Sequence, residues 1–75
     1  MLENNEHVLN ILDICKGNIG AISVMTLIMK NDYNNLEKVI KKLEEHKIYG
    51  SDIWVIYKDK CNQDIHLFIN YLTIL

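Results

Sequence analysis

The chain has 75 residues, 49% of them hydrophobic and 24% charged, with a formal net charge of −2. A chain this short buries only about 60% of the surface its unfolded form exposes, so it holds one domain and its stability is marginal unless something is added. All eight basic residues are Lys; without the Arg fork that grips phosphate and guanine, and with an acidic balance, DNA is disfavoured as a partner.

Disulfides are not the added element. Cys15 and Cys61 are a lone, widely spaced pair with no CxxC spacing and no secretory signal ahead of them, which places the chain in a reduced, cytoplasmic compartment. The longest uncharged stretch, Gly17 to Met29, has 13 residues, short of the roughly 20 that span a bilayer. Association between copies is the remaining route to stability.

In chain order, the first predicted helix runs from Glu3 to Lys16. Val8, Leu9, Ile11, Leu12 and Cys15 recur at helical spacing, acids sit in the opening turn, and Lys16-Gly17 supplies a stop. The second, Ile19 to Lys30, confines Ser23, Thr26 and Lys30 to one narrow stripe and is apolar elsewhere, the pattern of a central helix with several neighbours. The third carries Tyr33, Leu36, Val39, Ile40 and Leu43 on one face and a charged surface on the other. After a turn at Ile48-Tyr49-Gly50, Ser51 as N-cap and Asp52 as first-turn acid predict a fourth helix to Cys61. The β-branched and aromatic run Ile53 to Tyr57 would also suit a short buried strand; the cap favours helix. The fifth starts near Asp64, keeps His66, Asn70 and Thr73 on one stripe, and is apolar around the rest through Leu75.

These segments predict an all-α fold, a compact bundle of about four to five short helices in a single domain over 1–75. The last helix is more apolar than a small monomer can hide, which predicts a homo-oligomer with that helix in the contact. The alternative is a compact monomer in which the third and fourth segments wrap the excess.

Three stretches carry a resemblance: Gly17-Asn18-Ile19-Gly20-Ala21, Gly50-Ser51-Asp52-Ile53-Trp54 and Tyr57-Lys58-Asp59-Lys60-Cys61. They resemble short motifs of small helical accessory proteins carried by phages and prophages, with Ile19 where that pattern has Pro. The resemblance implies a non-enzymatic, anti-defence-like protein of the host cytoplasm that occupies a host molecule, either by sequestering a nucleotide-type immune signal or by masking a host protein.

The residues give the first of these a chemical form. Glycines before a helix expose backbone N–H groups to an anion, and the helix start adds partial positive charge. Gly17, Asn18 and Gly20 form one candidate cradle, Gly50 and Ser51 the other. Lys58 and Lys60 would complement a phosphate, while Trp54 and Tyr57 would stack on a base. Each feature also has a plainer reading: the glycines as caps and close helix contacts, the aromatics as core.

No cofactor, metal or catalytic set is predicted. Cys61 with Asp64 and His66, or His7 with Cys15, lack the spacing of a zinc site and an oriented nucleophile–base pair. Helix three, the Tyr49-Gly50-Ser51 turn and helix four have the lengths of a helix-turn-helix, but Asp52, Ile53, Trp54, Val55 and Asp59 would make a poor base-reading surface.

Overall fold

The computed structural model describes residues 4–74, with side chains from His7 onward. The expected helix start at Glu3, the opening-turn acids and Leu75 lie outside these described residues or side chains. The chain is all-α: α1 (Asn4–Cys15), α2 (Ile19–Asn31), α3 (Tyr33–Glu45), α4 (Ser51–Cys61) and α5 (Ile65–Ile74). No strand occurs among the described residues, and none of their helices is long and apolar enough to cross a membrane.

The narrow polar stripe of α2 has the consequence its pattern predicts, since α2 touches all four other helices. Ala21, Val24, Met25 and Ile28 are buried against them, each of the larger three contributing about 1.5–3 kcal/mol. Around α2, α1 packs on α3, α3 on α5, and α5 on α4. A seam remains between α4 and α1, tied where the Gly50 N–H donates to the Ile14 carbonyl at 2.9 Å. The total accessible surface of 4857 Å² is close to the about 4800 Å² expected of a compact monomer of this length.

Residues 53–57 are helical. Ile53, Tyr57 and Cys61 fall four apart and are buried, while Val55 is exposed; a strand would have alternated its faces and needed a partner for its backbone. The cap inferred for this helix is corrected. Gly50 holds the N-cap position at φ 57°, ψ −131°, and Ser51 is the first helical residue with no side-chain cap bond. The chain enters α4 through a backbone turn, with Asp52 N–H donating to Tyr49 O and Ile53 N–H to Gly50 O, so no side-chain oxygen is needed there.

In α1 the apolar stripe divides. Ile11, Ile14 and Cys15 are buried, whereas Val8, Leu9 and Leu12 are 40%, 66% and 48% exposed. At 100° per residue these three sit on the flank running from the core edge to the outer side, where no other helix covers them.

One turn is built twice. α1 ends at Cys15, Lys16 and Gly17 take left-handed φ of 51° and 77°, and Asn18 opens α2. α4 ends at Cys61, Asn62 and Gln63 take φ of 49° and 64°, and Asp64 precedes α5. Asn18 N–H donates to Cys15 O at 2.9 Å and Asp64 N–H to Cys61 O at 2.8 Å. The Asn18 side chain accepts from Ala21 N–H, and that of Asp64 from His66 and Leu67 N–H. Two left-handed residues and an Asx cap thus reverse the chain in both places, satisfying carbonyls at one helix end and donors at the next.

Gly50 occupies backbone space that an L side chain adopts only with strain, and its turn joins α4 to α1. Gly50→Ala should lower stability by about 1–3 kcal/mol, read as a reduced denaturant midpoint with unchanged slope. A midpoint equal to wild type would mean the turn is not held in this conformation.

Candidate functional site

The two glycine-led stretches, far apart in sequence, meet across the seam. A Cβ placed on Gly50 would lie 3.5 Å from Lys16 Cβ and 3.6 Å from Cys15 O. A Cβ placed on Gly20 would lie 2.9 Å from Cγ and Cδ2 of Trp54. The first turns of α2 and α4 therefore run side by side, with the indole of α4 lying on the bare backbone of α2.

These contacts sort the expected site residues. Gly20 is a close helix contact, and Trp54 is half-buried over it. Lys58, one turn on from Trp54, holds its Nζ 5.9 Å from the indole centroid. Gly17 is exposed with open space around its missing side chain, and half-buried Asn18 caps α2 through the Ala21 N–H at 2.9 Å. The Gly50 N–H is already bonded to Ile14 O, so that donor is not offered to a ligand, while Ser51 beside it is exposed. Lys60 is exposed but lies on another side of α4, since two residues turn a helix through about 200°.

Tyr57 does not lie open to a ligand. It is 3% exposed, its hydroxyl donates to the Gln63 carbonyl, and Phe68 meets its ring edge-on at 5.5 Å. Its work is structural: it fastens the left-handed turn between α4 and α5 to the core. Of the aromatic pair expected to stack on a base, Trp54 alone keeps accessible surface.

Two residues at the seam escaped the sequence reading. Lys16 Nζ lies 5.5 Å from the Tyr49 ring centroid, which adds a second cation–aromatic pair to that of Lys58 and Trp54. No spacing rule links residues 16 and 49; only the fold brings them together. The seam thus carries two ammonium groups, two aromatic rings and the starts of two helices, whose partial charges are positive. Asp52, exposed in the first turn of α4, opposes that field.

The helix-turn-helix arrangement does not form a packed unit, because α4 lies against α2 and α5 rather than against α3. Among the described residues no three of His, Cys, Asp and Glu gather into a group that would hold a metal ion. Cys15 and Cys61 are buried free thiols. Comparison with protein-family models, with curated proteins and with solved structures finds no match to the chain.

Burial pushes the Cys15 thiol up to about 11. It also raises Cys61 and Tyr57, to which the nearby Asp64 carboxylate adds, with Cys61 contributing further at Tyr57. The native state therefore keeps protons that the unfolded chain releases. This stabilisation is complete below the ordinary thiol value of 9.0 and is lost as pH rises through about 11. Denaturant midpoints should fall across that window, and Cys15→Ala should flatten the fall; a level profile would show that the thiol is not desolvated.

Proposed function

We propose that the chain is a non-enzymatic phage accessory protein that sequesters a nucleotide-type signal of host defence where the starts of α2 and α4 meet the end of α1. The observation that carries this reading is the meeting of two glycine-led helix starts beside Lys16, Tyr49, Trp54 and Lys58. A phosphate would take the ammonium groups and the uncapped first-turn N–H groups of α2. The exposed part of the indole would receive a base, at about 1–3 kcal/mol per stacked base. The proposal includes assembly of copies as a homo-oligomer in the host cytoplasm.

A second reading rests on a different surface. The exposed flank Val8, Leu9 and Leu12 on α1 is the kind of aliphatic patch that seats a partner protein. In that reading the chain masks a host protein and the seam is a packing detail.

Native mass spectrometry against a panel of linear and cyclic nucleotides separates the two. Stoichiometric retention, abolished by Lys58→Glu without loss of helicity and weakened by Lys16→Glu, is the expected result. Absence of any retained nucleotide would sink the sequestration reading for the compounds tested. The masking reading would then predict that Leu9→Lys with Leu12→Lys abolishes capture of the partner by a folded chain.

A further inference from the structure

We infer that the outer face of α5 is the contact between two copies of this chain, which pair with their α5 helices antiparallel about a two-fold axis between Asn70 and Tyr71. The inference deepens the oligomeric part of the reading above and uses residues outside the seam.

The repeated turn supplies the first argument. With Asn18 and Asp64 in the same place, Ala21, Val24, Met25 and Ile28 of α2 correspond in order to Leu67, Asn70, Tyr71 and Ile74 of α5. On α2 those four positions are all buried beneath neighbouring helices. On α5 Leu67 is 49% exposed, Ile74 is 82% exposed, Asn70 is exposed and Tyr71 half-buried. The relation reverses for the other face. Ile65, Phe68, Ile69 and Leu72 are buried on α5, and their counterparts Ile19, Ile22, Ser23 and Thr26 on α2 are exposed or half-buried. The face that receives helices on α2 is therefore left largely uncovered on α5, where Leu67 and Ile74 are exposed and Tyr71 leans only partly on the core.

Charge and order along the stripe name the occupant. From Ile65 to Ile74 α5 carries no Asp, Glu, Lys or Arg, so two copies of an acidic chain meet there without like charges in the contact. The stripe is also its own complement. In an antiparallel pair centred between residues 70 and 71, Leu67 faces the partner's Ile74, aliphatic on aliphatic. Asn70, whose side chain makes no hydrogen bond among the described residues, faces the partner's Tyr71, amide against phenol. Each contact occurs twice, as an isologous interface requires, and the opposed helix dipoles favour the antiparallel sense.

Sedimentation equilibrium and register-specific cross-linking test this on the full chain. The wild type should show a concentration-dependent monomer–dimer equilibrium. Tyr71→Glu, which sets carboxylates near the axis, should weaken it at least about tenfold, whereas Leu12→Glu on α1 should leave it unchanged. Under oxidised glutathione, Leu67→Cys mixed with Ile74→Cys should yield a disulfide-linked dimer. Leu67→Cys alone should not, because its two copies would lie about 10 Å apart along the helices. The native Cys15 and Cys61 are buried and give no background. A wild type that stays monomeric at every concentration, a dimer indifferent to Tyr71→Glu, or cross-linking by Leu67→Cys alone would each overturn the proposal. A monomer that retains nucleotide sinks this inference and spares the seam; a dimer that retains none does the reverse.

Discussion

Much of this structure depends on how closely α4 approaches α2. An ordinary helix pair keeps its axes apart by the width of the side chains between them, and at Gly20 there is none, so the Trp54 ring lies directly on backbone. That approach lets an 11-residue helix cover one side of α2 while α1, α3 and α5 cover the others. It also puts the start of α4 beside the start of α2 and the Gly50 turn against Lys16, which is why the two glycine turns meet. Fold and candidate site are thus consequences of the same missing side chain, and crowding at position 20 would disturb both.

The repeated reversal shows what the chemistry of such a turn requires and what it leaves open. Two consecutive left-handed residues need tolerance of positive φ, and here Lys16-Gly17 and Asn62-Gln63 both supply it, with glycine in only one pair. The stable common parts are the cysteine that ends the first helix, buried in both cases, and the Asx side chain that caps the second. The second copy lacks glycine but is held from outside, by the Tyr57 hydroxyl on the Gln63 carbonyl. Strain in a turn is tolerated where a core side chain fixes it.

Most of the architecture was legible in the sequence. Five helices, the central place of α2 and the start of α5 at Asp64 follow from periodicity and breakers, which are local signals. Legibility failed where neighbours decide. Val8, Leu9 and Leu12 share helical spacing with Ile11 and Cys15, but which arc of an apolar helix faces inward depends on where α2 and α3 stand, and the core takes Ile14 instead. Ser51 looks like an N-cap, yet the bond from Gly50 N–H to Ile14 O draws the chain into a turn that starts the helix one residue earlier. For the candidate site, Gly20, Trp54 and Lys58 were named from motif and spacing, and the fold brings Gly20 under the Trp54 indole with Lys58 beside the ring. Lys16 and Tyr49 were not, because a contact between distant residues leaves no periodic trace.

The net charge of the chain and the local charge of its seam point to different classes of ligand, and the difference is one of range. A nucleic acid polymer is held by many phosphate contacts spread over tens of ångströms, where a net −2 chain without Arg offers little. A single nucleotide samples only the few ångströms around its own phosphates, and screening in the cell confines surface charge effects to about 8 Å. Within that distance Lys16, Lys58 and two helix starts would act on such a ligand, with Asp52 in the first turn of α4 set against them. A net acidic charge that disfavours DNA does not, on that account, disfavour a small phosphate-bearing ligand.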